Sequence, residues 1–163
     1  MDLALSEFEG TRQIPAGIRS KVCSLEITYD LAEIVDARFP IPGSLMREGS
    51  LWESTCMELF AKNPSATEYL EFNASPRGAW NAYYFDDYRN GMKETYCAKA
   101  VSISREGEGQ FQVCYEFAKK IRKPLLLTPA VIIKNVEGSL CYFAPGHGRK
   151  PDFHDFSNSV CLE

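Results

Sequence analysis

The chain lacks what would direct it to a membrane or a nucleic acid. No segment approaches the ~20 consecutive apolar residues that span a bilayer. The opening stretch MDLALSEFEG carries Asp2 and Glu7 where an export leader has basic residues and then an apolar run. The expectation is a cytoplasmic protein. A basic surplus is missing too: 18 Lys and Arg stand against 22 Asp and Glu, for a net charge of −4 without long runs of either sign. Phosphate backbones require a concentrated basic surface. The one basic cluster, KKIRK at Lys119 to Lys123, reads as a solvated loop or helix end. No CxxC pair occurs among the six cysteines at 23, 56, 97, 114, 141 and 161. Their irregular spacing argues for reduced, mostly buried thiols, and a zinc site would need assembly from distant positions. Repeats and low-complexity tracts are absent, so the 163 residues read as one domain, 1–163, with a real core.

What is present is mostly a period of two. In KVCSLEITYD, Cys23, Leu25, Ile27 and Tyr29 share one face, with Ser24, Glu26 and Thr28 opposite. Further strands are predicted over Cys56–Lys62, Tyr69–Ser75, Ala79–Asp86, Tyr96–Ser104, Gln110–Phe117, Ala130–Val136 and Ser139–Phe143. SREGEGQ at Ser104–Gln110 reads as a hairpin, Val136–Ser139 as a tight turn and PIPGSLMREGS as a loop. LAEIVDARFP is ambiguous between a strand and a short helical turn, and AKKIRKPLL reads as one helical turn ended by Pro124. Eight or so short strands with little helix predict an all-β fold, an antiparallel β-sandwich of immunoglobulin-like or jelly-roll type.

The stretch Leu51–Arg89 concentrates acids and flat rings. Alternation puts Cys56, Glu58 and Phe60 on one face of their strand, and Tyr69, Glu71, Asn73 and Ser75 on one face of the next. If the two strands pair through KNPSAT, Glu58 shares a sheet face with Glu71 and Asn73. Neighbouring like charges repel when exposed and cost more when buried unpaired. Arg77 or Arg89 could compensate them, as could a hydroxyl-rich ligand or a cation such as calcium. Trp52, Phe60, Tyr69 and Trp80 lie near the acids, and rings beside carboxylates, an amide and an arginine suit a sugar.

Four blocks in order, LWESTCMELF, YLEFNASPRGAW, YRNGM and GRKPDFHD, resemble the bacterial DOMON-like proteins related to the family 9 carbohydrate-binding module. The resemblance runs from about Leu51 to the C-terminus. It implies a β-sandwich whose relatives bind sugars or, in other DOMON branches, haem. In the sugar-binding modules a tryptophan, a glutamate six residues later and an asparagine on the next strand belong to the site, and Trp52, Glu58 and Asn73 match them. Those modules carry an arginine two residues before the asparagine, where this chain has Glu71. Their late clamping tryptophan has only Phe153 or His154 near it here.

The reading put first is a saccharide- or polyol-binding module without catalysis, using Trp52, Glu58, Glu71, Asn73, Trp80, Arg89 and His154. Set against it are three others. Glu58 with Glu71, or Glu53 with either, could act as acid and base on a glycosidic bond, with His154 between Asp152 and Asp155 as a further base. Haem would need axial ligands across a hydrophobic pocket, a His with a Met or a second His, drawn from His147, His154 and the four methionines. A satisfied polar core would make the cluster purely structural.

Overall fold

The computed structural model describes residues 1–163. It is nearly all β, as expected, and no helix in it is long and apolar enough to cross a membrane. Three strands form the start of the chain: β1 (Asp2–Glu7), β2 (Gln13–Ser20) and β3 (Ser24–Asp30). After a looped stretch come β4 (Met46–Arg47), a 3₁₀ turn at Leu51–Glu53, β5 (Cys56–Lys62), β6 (Tyr69–Ala74) and β7 (Ala79–Phe85). The remainder comprises β8 (Lys93–Glu94), β9 (Ala98–Glu106), β10 (Gln110–Phe117), β11 (Leu125–Lys134), β12 (Leu140–Ala144), a second 3₁₀ turn at Phe156–Asn158 and β13 (Val160–Leu162).

All these strands join one curled sheet in the order β4-β7-β6-β5-β11-β12-β1-β2-β3-β10-β9, with β13 paired to β11 and β8 to β7. The sheet curls far enough that β7 meets β9 across the interior. One half of it, β4 to β12, therefore packs on the other, β1 to β9, as the two layers of a sandwich. Between them lies the main core. It takes Leu5, Ile14, Leu25, Ile27, Phe111 and Val113 from one layer and Met57, Leu59, Phe72, Val131 and Phe143 from the other. Each such side chain contributes about 1.5–3 kcal/mol by leaving water. Tyr29 crosses the core to donate its hydroxyl to the Glu58 carbonyl at 2.6 Å.

Several expectations need correction. Pairing is antiparallel throughout except between β4 and β7, where Met46 and Arg47 run parallel to Ala79 and Trp80. β1 and β2 were not foreseen; in β2, Ile14, Ala16 and Ile18 do alternate inward, but Pro15 and Gly17 disguise the pattern. LAEIVDARFP is neither strand nor helix. It is a turn-rich loop that tucks Leu31 and Ile34 into the core. No helical turn forms around Ala118, because the chain there stays irregular until β11 starts at Leu125. Pro129 sits in the middle of this central strand. It is tolerated because β13 pairs with Leu125–Leu127 and β12 with Val131–Lys134, leaving a gap in the ladder opposite the residue that has no N–H.

Candidate functional site

The site follows from register. β5 and β6 pair with Glu58 opposite Asn73 and Phe60 opposite Glu71; β6 and β7 pair with Asn73 opposite Asn81 and Glu71 opposite Tyr83. Side chains alternate, so Met57, Leu59, Phe72, Ala74 and Ala82 face the main core. The other face carries the rows Glu58–Asn73–Asn81 and Phe60–Glu71–Tyr83. That outer face is not left to solvent. Ser50, at φ 57, turns the chain so that the 3₁₀ segment lays Leu51 and Trp52 over it. The tail lays Phe153 and Phe156 over it from the other side, creating a second apolar cluster with Phe60, Tyr83, Phe85 and Ile132.

Between these two covers remains a hollow of about 360 Å³. Its walls include Trp52, Phe60, Phe85, Tyr142 and Phe153, its floor Glu58 and Glu71, and its rim Arg89 and His154. Glu58 is 3 % and Glu71 5 % exposed. Five of the residues singled out in the sequence thus line one cavity. Asn73 lies beside it, fully buried, its Nδ2 donating to Glu71 Oε1 at 2.8 Å.

Trp80 does not join them. It stands opposite Ala74 and in phase with Ala82, so it points to the main core, with the Arg47 guanidinium 5.2 Å over its ring. Neither arginine considered as a counter-charge reaches the acids. Arg77 pairs with Glu48 at 3.5 Å, and Arg89 donates from Nη2 to Asp152 Oδ1 at 2.9 Å. His154 is steered by a tyrosine and not by Asp152 or Asp155. The Tyr69 hydroxyl accepts from the Arg89 backbone N–H at 3.1 Å and is hydrogen-bonded to His154 Nδ1 at 2.6 Å. His154 Nε2 lies 3.9 Å from Glu71 Oε2.

Electrostatics follow from this geometry. Burial, with the charge of Glu71 added, pushes the Glu58 carboxyl well above the usual range. Burial also pushes Glu71 up to about 7, although Asn73 and Arg89 oppose it. His154 is driven down to about 4 by burial and by Arg89, so its imidazole is neutral at pH 7. The two carboxyl groups therefore hold a proton between them near neutrality. Within the protein, Glu58 Oε1 and Asn73 Oδ1 have no hydrogen-bond partner, nor, away from the hollow, does His147 Nδ1.

Other groups are accounted for differently. His147 binds the Ser6 carbonyl through Nε2 at 2.7 Å and packs edge-on against Phe8, far from the acids in role. No three His, Cys, Asp or Glu side chains converge to hold a metal ion, calcium included, and all six cysteines are free. Lys119, Lys120 and Arg122 are exposed on the rim of a wider cleft of about 890 Å³ at the end of the sandwich. That cleft lacks buried polar groups without partners. Phe85, Met92, Tyr142 and Pro151 line the hollow without having been singled out. Phe85 was findable, since Asn81, Tyr83 and Phe85 alternate in phase along a predicted strand; Met92 and Pro151 come from loops with no periodic signal.

Fold and site together define an all-β sandwich with a ring-walled, acid-floored hollow on the outside of one layer. The chain resembles in fold a candidate carbohydrate-binding protein from Bacteroides uniformis ATCC 8492, whose crystal structure was solved at 2.70 Å. The two share 13% identity with a TM-score of 0.69, over 99% of this chain and 85% of that one. No family model and no curated protein matches the chain.

Proposed function

We propose that this protein binds a saccharide or small polyol in the hollow beneath Trp52, without chemistry. One observation carries the reading. Glu58 Oε1 is buried at the floor of a ring-walled cavity with no partner in the protein. Leaving such an atom unsatisfied costs about 1–3 kcal/mol, which a ligand hydroxyl donating to it would offset. At about 360 Å³ the hollow sits at the small end of the ~300–1,000 Å³ typical of small-ligand sites, and so suits one or two sugar residues. Trp52, met edge-on by Tyr83 at 5.8 Å, supplies a fixed ring for the sugar's C–H face. The fold of the Bacteroides protein supports carbohydrate binding in this broad sense. Kinship with DOMON-like proteins and the family 9 module is the finer proposal, resting on Trp52, Glu58 and Asn73. Residues 1–163 are taken as one folding unit because all the strands share one sheet.

Calorimetry with a panel of neutral and charged mono- and oligosaccharides tests this. Saturable heat with at least one of them, lost in Trp52→Ala, is expected. No saturable heat with any saccharide overturns it. A second reading, glycoside cleavage, is favoured by one fact: Glu58 and Glu71 occupy diagonal cross-strand positions and both line the hollow, the paired carboxyls that acid–base cleavage of a glycosidic bond needs. Nitrophenyl glycosides distinguish the two. Binding alone releases no nitrophenol, whereas release that disappears in Glu58→Gln establishes catalysis.

A further inference from the structure

The hollow holds two carboxyl groups and no cation committed to either. Every charged or titratable neighbour of the pair can be named. From β5 comes Cys56, its thiol pushed up by burial and by both carboxyls; from the opposite layer come Tyr29 and Tyr115 behind Glu58. Tyr69 and Tyr83 flank Glu71 on β6 and β7, with Glu94 of β8 beyond Asn81. The tail adds His154 and Asp152, and the β7–β8 loop adds Arg89. The permanent cations among them are Arg89, whose guanidinium is bound to Asp152, and Arg47, which donates to Asn81 and pairs with Glu94. His154 presents Nε2 to Glu71 at 3.9 Å, beyond hydrogen-bond reach. The floor therefore has surplus acceptors: Glu58 Oε1 has no partner, and Glu71 Oε2 has none closer than that imidazole.

We infer that the ligand is a saccharide carrying a protonated amine, its ammonium seated between Glu58 and Glu71 and its ring against Trp52. This rests on the saccharide reading above and narrows it. An ammonium brings three donors to a floor rich in acceptors, and the ring walls add favourable quadrupoles around a cation. A neutral sugar satisfies Glu58 Oε1 but leaves the shared proton in place. An ammonium displaces it, because an opposite charge nearby favours the ionised carboxyl. The proton balance is simple. The amine enters as R–NH3⁺ and keeps its proton, Glu71 releases its proton to solvent, and one carboxylate then faces one cation while Glu58 keeps its proton.

The test is calorimetry at about pH 6.5, where the shared proton is held, in two buffers of different ionisation enthalpy. D-Glucosamine, D-galactosamine and D-mannosamine are compared with their parent hexoses and N-acetyl derivatives. At least one amine is expected to bind about ten-fold or more tightly than its neutral counterparts. Its heat should differ between buffers by an amount matching release of up to one proton per ligand, a readout that needs no variant. In Glu71→Gln, checked for folding by its thermal melt, both the preference and the buffer dependence should vanish. Neutral hexoses binding as tightly as the amines, or amine binding without proton release, overturns this inference and leaves the saccharide reading standing. Absence of binding by all nine sugars overturns the inference, and extending that absence across the wider panel overturns the saccharide reading too.

Discussion

The two faces of β6 are buried to the same depth by different means. Phe72 and Ala74 point inward and are 0 % exposed; Glu71 and Asn73 point outward and are 5 % and 0 % exposed. Inward, burial comes from the opposite sheet layer and is mostly by apolar side chains, with Tyr115 packing on Phe72 at 4.9 Å between ring centroids. Outward, it comes from a 3₁₀ turn and the tail, elements with few ladder hydrogen bonds, and acids sit under rings without counter-ions. The inner face is assembled for stability. The outer one keeps polar groups at a cost that stability alone does not explain.

Substitutions should separate the faces, the largest effect falling inside. Phe72→Ala removes a fully buried ring and should cost about 3–5 kcal/mol in urea unfolding, with no selective effect on sugar binding in the protein that remains folded.

Outside, pH is the sharper tool. Glu71, raised from 4.5 to about 7 in the fold, contributes stability that is complete below 4.5 and is lost as pH climbs through 7. His154, lowered from 6.5 to about 4, contributes stability that is complete above 6.5 and is lost as pH falls through 4. Glu58, raised as well, adds a second slope of the same sign as Glu71, so one His154 slope opposes two carboxyl slopes between pH 4.5 and 6.5 and wild-type stability should decline from pH 4.5 upward. Glu71→Gln removes one of the two carboxyl slopes, so the remaining Glu58 and His154 slopes offset each other and the profile between pH 4.5 and 6.5 should flatten relative to wild type. Melting curves across this range check the sign; a Glu71→Gln profile identical to wild type would show that the outer acids carry no strain.

Smaller effects complete the contrast. Trp52 is half-buried, so Trp52→Ala should cost about 1–2 kcal/mol while abolishing ligand heat, a ratio opposite to that of Phe72. The Arg89–Asp152 pair is partly exposed, and Arg89→Ala should change stability by less than about 1 kcal/mol in the same melts.

Much of this was legible from residue order. Period-two runs mark β3, β5, β6, β7, β9, β10 and β12 to within a few residues, and the alternation of CMELFAK and YLEFNAS puts Glu58, Glu71 and Asn73 on one face. Trp80 is near the acids in sequence but out of phase with them along β7. Its spacing from Asn81 and Ala82 already assigned it inward. Arg89 was expected to answer the acids, yet a surface loop's side chain goes wherever folding brings a partner, and Asp152 is 63 residues away in sequence.

Sequence alone determined the all-β character and which side chains share a face, because alternation along a strand is a local property of the backbone. Tertiary structure decided that the polar face is roofed, that His154 meets Tyr69 and Glu71, and that no cation reaches the carboxyls. Those outcomes depend on where the Leu51–Glu53 turn and the tail settle over the sheet. Long-range packing sets that placement, and no local period encodes it.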